Sequence, residues 1–232
     1  IDFLGFTDNS VQNVQDLIRE ICKIEFKEDG LVFDVSSVRG IPIKETDEYS
    51  GVRVNFDAYL GDSKIPNLQI DIGVGDDVYP QPKEVDYQGL LDLPKANIKI
   101  YPFEAILAEK IHALVKLGYL NSRMKDIYDI WHIASIQKMD GKILSKALQS
   151  TFSNRQTQFP ETMAIFHKDY LNQSRISAWK AIGKKLKTND DLPEFEAVLD
   201  QLQGFLTPMM DALFHDKEFG LIWDPSKDWG WH

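Results

Sequence analysis

The sequence has a single cysteine, Cys22, and no long apolar run. One cysteine cannot form an intramolecular disulfide, and scarce cysteine is typical of proteins that work in a reducing compartment. No stretch approaches the roughly 20 apolar residues that a helix needs to span a bilayer, and no basic-then-apolar leader stands at the visible start. These absences argue against a membrane partner and predict a cytoplasmic protein.

Several common site motifs are also missing. The sequence has no G-x-x-x-x-G-K-[ST] and no G-x-G-x-x-G pattern, so neither a Walker nor a Rossmann phosphate cradle is expected. The 5 histidines and Cys22 never reach the spacing of a zinc site. The pair Glu109-x-x-His112 is a single copy, whereas a di-iron bundle needs two copies and further Glu ligands.

Basic residues are outnumbered, with 26 Lys and Arg against 36 Asp and Glu, which gives a net charge of −10. This balance argues against a protein that coats nucleic acid through bulk electrostatics. One local basic stretch remains at 174–187, where Lys180, Lys184 and Lys187 share a helical face and could contact the phosphate backbone of RNA. A solvated face that offsets the acids of 190–200 explains the stretch equally well.

Residues 1–102 have the pattern of a mixed α and β domain. Polar and apolar residues alternate along Val52–Leu60 and Leu68–Val74, which is typical of strands with one buried face. A hairpin symmetrical about Lys64 would place Asp57 and Asp71 opposite each other on the polar face. Two carboxylates that face each other across a ladder would require a cation.

Shorter elements precede these strands. Ile1–Phe6 is predicted as a strand, and Asp8-Asn9-Ser10 supplies a cap for a helix that follows it. Asp29-Gly30, between Ile24–Phe26 and Leu31–Val35, is a hairpin signal. A Pro- and Glu-bearing loop is expected between this hairpin and the strand that begins at Val52.

The apolar spacing changes to about 3.6 residues from Phe103 onward. Helices are predicted at 103–117, 122–137, 142–153, 160–171, 174–187 and 193–214. Short breaks between them indicate a compact bundle, and the aromatic tail Phe219–His232 is expected to pack back over its core.

Two of these helices carry charged residues inside their apolar arcs. Each residue of an α-helix turns by about 100°, which places Glu104 and Lys110 among the apolar residues of the first helix. Arg123 and Asp126 lie within the apolar arc of the second helix. The outer, solvent-facing stripes are assigned to Glu109, His112, Lys116, Lys125, Asp129 and His132.

These inward charges should either pair with each other or line a polar cleft, because burying an unpaired ion is costly. An ion-pair network that only joins two packed helices explains the pattern about as well as a functional site does. The residues alone leave both interpretations open.

An A-E-K helix that precedes an R-x-K-D motif is found in the AbiEii/AbiGii nucleotidyltransferase toxins, and this chain resembles that family at 108–118, AEKIHALVKLG, and 121–131, NSRMKDIYDIW. The stretch at 1–10, IDFLGFTDNS, is similar to the family's D-x-D-F-L strand and turn. The stretch at 68–76, LQIDIGVGD, resembles its later acidic strand. The family's Gly-Ser turn and first D-x-D aspartate would precede Ile1, so we expect the sequence to lack its start.

The resemblance implies an α+β architecture, with a polymerase-β-like mixed sheet and flanking helices in 1–102 and a helical bundle with an aromatic tail in 103–232. Asp2 matches the second residue of the D-x-D pair and Asp71 the third carboxylate. Both would bind Mg²⁺, because hard cations prefer carboxylate oxygens.

Three further site residues follow from the same resemblance. Lys110 matches the A-E-K lysine and would contact the triphosphate, and Asp126 matches the remaining essential acid. Arg123 or Lys125 would be its charge partner and help to bind the nucleotide. Asp71, Lys110 and Asp126 are therefore the expected catalytic residues, in one cleft.

The implied function is a magnesium-dependent toxin that moves a nucleotide from an NTP to an acceptor, the 3′ end of tRNA or another RNA. The resemblance also implies a cognate antitoxin protein and a role in abortive infection and phage defence. The alternative is a catalytically silent nucleotide- or RNA-binding module of the same fold. A Gly-Ser turn and an aspartate just before Ile1 would favour the enzyme.

Overall fold

A computed structural model describes residues 2–5, 10–46, 49–74, 78–186, 192–227 and 229–232, with the backbone alone at 2, 4, 5, 44–46, 49, 50 and 74. The chain divides into two compact units, Ile1–Asp76 with Asp86–Asn97, and Asp77–Val85 with Ile98–His232. Helices and sheets are both present, so the predicted α+β class is confirmed.

The first unit contains a four-stranded mixed sheet. Its strands lie in the order β1-β4-β3-β2, with β1 parallel to β4 and the other neighbours antiparallel. The bounds are β1 Asp2–Gly5, β2 Leu31–Thr46, β3 Tyr49–Leu60 and β4 Ser63–Val74.

One helix, α1 (Val11–Cys22), packs on β2 and β3. Ser10 accepts a hydrogen bond from the amide of Asn13 at 3.2 Å and so caps the helix, as predicted. The apolar side of α1 and the alternating apolar residues of the strands form one core of Val14, Ile18, Cys22, Val38, Val52, Val54, Phe56 and Ile72. The opposite face of the sheet carries the polar residues.

The β3–β4 hairpin turns at Gly61-Asp62, where Gly61 has a φ of 56°, and not at Lys64. The register of β3 and β4 shifts by one residue between Phe56 and Ala58, where Asn67 of β4 has a φ of 57° and its amide donates to Asp57 Oδ1 at 2.8 Å. Asp71 therefore lies opposite Arg53, and the predicted pairing of Asp57 with Asp71 is wrong.

The hairpin predicted at Asp29-Gly30 is also wrong. Asp29 Oδ1 accepts from the amide of Leu31 at 2.8 Å, and Gly30 has a φ of 68°, so a turn is present. It leads from α1 into β2, and residues 24–26 form no strand. The loop expected before Val52 is wrong as well. Its Pro-bearing part belongs to β2, which continues to Thr46 along β3.

A separate two-stranded sheet joins β5 (Lys83–Tyr87) to β6 (Ala96–Ile100). Asn97 Nδ2 donates to Asp86 Oδ1 across this pair at 3.1 Å. The sequence pattern does not predict these strands.

The second unit is helical, with α2 Phe103–Leu117, α3 Met124–Ile136, α4 Gly141–Asn154, α5 Gln173–Leu186 and α6 Phe195–Phe214. The apolar sides of these helices enclose a core that includes Leu107, Ile127, Leu144, Trp179 and Phe205. Among the described residues, no helix is both long enough and apolar enough to cross a membrane.

The helix predicted at 160–171 is replaced by two 3-10 turns, Ala164–Phe166 and Lys168–Tyr170. Met163 and Ile165 are both buried. Residues two apart point to opposite sides of an α-helix, so a regular helix could not bury both against one core.

The aromatic tail packs on the helical core, as predicted. A small sheet, β7 (Met139–Asp140), β8 (Ile222–Asp224) and β9 (Gly230–Trp231), holds it in place. Trp223 Nε1 donates to the carbonyl of Ala134 and Trp231 Nε1 to that of Phe205, both at 2.8 Å.

Candidate functional site

Asp2 and Asp71 lie opposite each other on neighbouring parallel strands. The register of β1 and β4 pairs the Cα atom of Asp2 with that of Asp71. The expected adjacency of the two strands is therefore observed. The side chain of Asp2 lies outside the described part of the structure, so a cation shared by both carboxylates stays a prediction.

The carboxylate of Asp71 has a cationic neighbour. Arg53 donates from Nε to Oδ1 at 2.8 Å and from Nη2 to Oδ2 at 2.7 Å, and Gln69 Nε2 lies 3.2 Å from Oδ2. The hydrogen bonds from Arg53 hold the pKa of Asp71 below its usual value, although partial burial opposes them. Asp71 is therefore ionised at neutral pH.

A like-charge pair does occur across the strands, between Asp34 and Asp57, which are register partners of β2 and β3. The Lys64 ammonium lies 2.8 Å from Asp57 Oδ2. Its hydrogen bond lowers the pKa of Asp57, which keeps this carboxylate charged. The cation required by two facing carboxylates is thus a lysine at this position.

Lys110 lies at the centre of an ion-pair network between α2 and α3. Its ammonium group is 2.9 Å from Asp126 Oδ1 and 2.6 Å from Asp129 Oδ2. Arg123 Nε is 2.8 Å from Asp126 Oδ2, and Lys125 Nζ is 2.8 Å from Asp129 Oδ2. Three cations share two carboxylates here, so these five side chains carry a formal charge of +1.

The centre of the network is largely removed from solvent, whereas Arg123 and Lys125 at its edge are exposed. Asp126 is only 5% exposed, and the side chain of Lys110 is 21% exposed. Burial alone would lower the pKa of Lys110, but hydrogen bonds to Asp129 and Asp126 outweigh it and the pKa is raised. Lys110 is therefore charged at neutral pH, and Asp126 lies in the first turn of α3, where the helix dipole favours an acid.

The expected pairing of inward charges is observed for Lys110, Arg123 and Asp126. The assignment of Asp129 to the outer stripe is wrong, because Asp129 follows Asp126 by three residues and shares its side of the helix. Among the side chains that the structure describes, none forms an ion pair with Glu104.

Glu109 and His112 were assigned to the solvent face of α2, and this too is wrong for His112, which is 1% exposed. Arg155, the residue that caps the end of α4, bonds to the carboxylate of Glu109 and to His112 Nδ1, the latter at 3.2 Å. His112 Nε2 lies 2.8 Å from Thr157 Oγ1. Arg155 follows Glu109 by 46 residues, and no spacing rule in the sequence connects them.

Two of the proposed RNA contacts, Lys180 and Lys184, lie on α5. Lys180 and Lys184 are exposed, and the Lys180 ammonium lies 3.8 Å from a Glu194 oxygen. Lys187 falls outside the described residues. The RNA role of this stripe and the cleft expected to unite Asp71, Lys110 and Asp126 stay predictions.

The chain matches the family described as "Nucleotidyl transferase AbiEii toxin, Type IV TA system" over residues 1–201. It therefore belongs to this family of nucleotidyl transferase toxins from type IV toxin–antitoxin systems. The match spans the strand that carries Asp71 and the helices that carry Lys110 and Asp126. A comparison with curated proteins finds no match.

Proposed function

We propose that this protein transfers a nucleotide from an NTP to the 3′ end of tRNA and that Mg²⁺ is its cofactor. The observation that carries the proposal is the network around Lys110, where three cations share two carboxylates. The excess positive charge lies within the segment that matches the toxin family. Such a charge suits the polyanionic triphosphate of a nucleotide.

A polymerase-β-like nucleotidyltransferase core is the fold we propose for the first unit. Its mixed sheet, the single helix α1 on one face and the polar residues on the other support this proposal. The register of Asp2 with Asp71 places two aspartates of the resembled motifs side by side along the sheet.

We propose that this sheet binds Mg²⁺. The described residues contain no group of three potential metal ligands, but Mg²⁺ is commonly bound by one or two carboxylates together with substrate phosphates. Asp71 and Asp2 would supply those carboxylates. The bound ion would neutralise charge on the phosphates and lower the pKa of the attacking hydroxyl.

In the proposed reaction, the 3′ oxygen of the acceptor forms a bond to the α-phosphorus. The bond from that phosphorus to the bridging oxygen breaks, and pyrophosphate leaves. The hydroxyl proton passes to a carboxylate, for which we propose Asp71, kept ionised by Arg53. Lys110, with Arg123 or Lys125, would hold the triphosphate and stabilise the charge that develops on pyrophosphate.

A catalytically silent binding module is the second candidate. The observation that favours it is that the Lys110 ammonium already has two carboxylate partners. Joining α2 to α3 is a sufficient role for a network of this kind.

Incubation with labelled NTPs and total RNA, with Mg²⁺ or with EDTA, tests the proposal. We expect wild-type protein to label tRNA only when Mg²⁺ is present, and Asp71→Asn to lose this activity. Lys64→Met is the matched control, because it removes an ion pair of the same sheet that involves Asp57. NTP binding without RNA labelling by the wild-type protein would support the silent module instead.

The toxin role predicts arrested growth in cells that express the wild-type protein. Cells that express Asp71→Asn should grow normally, and co-expression of the cognate antitoxin should relieve the arrest. Equal toxicity of the two proteins would separate toxicity from nucleotide transfer.

A further inference from the structure

The contacts of Arg155 join the end of α4 to the helix that carries Lys110. One guanidinium nitrogen bonds to Glu109 and another lies 3.2 Å from His112 Nδ1. Glu109 and His112 are three residues apart and so occupy the same side of α2. Arg155 therefore contacts α2 at two points almost one turn apart.

The hydrogen bonds of this cluster fix the tautomer of His112. Because Arg155 can only donate, Nδ1 of His112 must accept, and the ring proton lies on Nε2. Nε2 then donates to Thr157 Oγ1 at 2.8 Å, and this hydroxyl donates to the carbonyl of Arg155 at 3.1 Å. Phe152 packs edge-on against the imidazole, with 5.1 Å between ring centroids.

Lys110 directly follows Glu109, so its side chain leaves α2 about 100° away from the Arg155 contacts. The helix is thus held by α4 on one side and presents Lys110 to Asp126 and Asp129 on another. A lysine ammonium lies roughly 6 Å from its helix axis, so a rotation of about 10° moves it by about 1 Å. A misplacement of about 1 Å can lower a reaction rate by about 100-fold.

We propose that Arg155 is a positioning residue for Lys110 and fixes the rotation and axial position of α2 through Glu109 and His112. The catalytic consequence rests on the proposed nucleotide transfer, whereas the geometric consequence does not. Glu109, the glutamate of the A-E-K motif, thereby has a separate role as the ion-pair partner of Arg155.

Arg155→Met tests the inference, because methionine keeps much of the apolar stem and removes both contacts. The first readout is the NMR resonance of the Lys110 ammonium in the protein without ligand. In Arg155→Met it should move toward the position of an exposed lysine, and in Arg155→Lys it should move part of the way. Lys138→Met, which removes the 3.5 Å pair with Asp224 and belongs to neither α2 nor α4, should leave the resonance unchanged.

The second readout is the kinetics of RNA labelling. Arg155→Met should lower kcat by about 10- to 100-fold and change KM for the NTP by less than about 3-fold, since Arg123 and Lys125 still bind the triphosphate. An unchanged Lys110 resonance in a folded Arg155→Met protein would overturn the inference. If that variant does not fold, a wild-type resonance and wild-type kcat in Arg155→Lys would overturn it equally.

Failure of the proposed function gives a different result. In that case the wild-type protein labels no RNA with any NTP, while the Lys110 resonance still reports whether Arg155 positions the lysine.

Discussion

Lys110 pairs with two carboxylates of α3, and the proposed function gives it a second, separable task in binding the triphosphate. Lys110→Met removes the partner of the buried carboxylate of Asp126, so we expect a stability loss of about 1 to 3 kcal/mol. Transfer activity should fall by at least about 100-fold. Chemical unfolding and RNA labelling measure the two losses, and Lys116→Met, on the exposed face of the same helix, is the control.

The double variant Lys110→Met with Asp126→Asn separates these tasks. Removing both charges should restore part of the stability, because Asp126 is then neutral and Asp129 keeps its ion pair with Lys125. Activity should stay lost if both residues act in transfer. Recovery of activity in parallel with stability would mean that the pair only joins the helices.

His112 predicts a pH dependence of folding. Burial, followed by the charges of Arg155 and Lys116, lowers its pKa from 6.5 to about 4. The unfolded chain takes up a proton as the pH falls below 6.5, while the folded protein does not, so stability is complete above 6.5 and is lost toward pH 4. The loss is on the order of 3 kcal/mol.

Unfolding by urea between pH 7 and pH 4 measures this dependence. His112→Gln should show a shallower decrease than the wild-type protein, whereas His132→Gln, at an exposed position of α3, should follow the wild-type curve. Identical curves for wild type and His112→Gln would contradict the prediction.

At the scale of the elements, two glycines in helices have opposite surroundings. A Cβ atom on Gly141, at the start of α4, would lie 2.6 Å from the carbonyl oxygen of Leu221 and 2.8 Å from the Phe219 ring. Gly141→Ala should therefore destabilise the protein by about 1 to 3 kcal/mol. A Cβ atom on Gly204, inside α6, meets nothing within 4 Å, so Gly204→Ala should stabilise the protein by about 0.5 to 1 kcal/mol. Thermal unfolding of both variants checks the two signs.

The basic stretch at 174–187 predicts a salt dependence of RNA binding. If Lys180, Lys184 and Lys187 bind the RNA backbone, reversing all three charges should reduce the slope of log affinity against log salt by up to about 2 to 3 units. Reversal of Lys142 and Lys146, exposed lysines of α4, is the control and should change the slope less. NTP affinity should be unaffected in both proteins. Equal slopes for the stripe variant and wild type would identify an ordinary solvated face.

Local periodicity predicted those elements that bury one regular face. The helix at 103–117 matches α2 to the residue, and the alternation at 52–60 and 68–74 lies within β3 and β4. It failed at the bulge that β4 makes opposite Asp57, where Asn67 has a φ of 57° and donates its amide to Asp57 Oδ1. The sequence pattern of that strand is the same with or without the bulge.

The candidate site follows the same rule. The inward position of Lys110 and Asp126 is visible in the helical arcs, because a charge among apolar residues breaks the pattern. Asp129 was missed because the long side chain of Lys110 reaches it, although Asp129 lies outside the apolar arc of α3. The Arg155 contacts join residues 46 positions apart, a pairing that only the fold creates.

At the scale of the whole molecule, the two units differ in the charged groups of their candidate site residues. The sheet unit supplies ionised carboxylates, with Asp71 held by Arg53. The helical unit supplies an excess of positive charge around Lys110. The proposed function assigns metal binding to the first unit and triphosphate binding to the second, so variants of either unit should lose transfer.

The aromatic tail limits where the protein can be truncated. The family match ends at residue 201, inside α6. A chain cut there would lose Phe205, whose ring stacks on Trp231 at 5.5 Å, and Trp223, which is fully buried. The end of the family match is therefore not the end of the folded unit. A fragment that stops at residue 201 would expose apolar residues of the core and should aggregate.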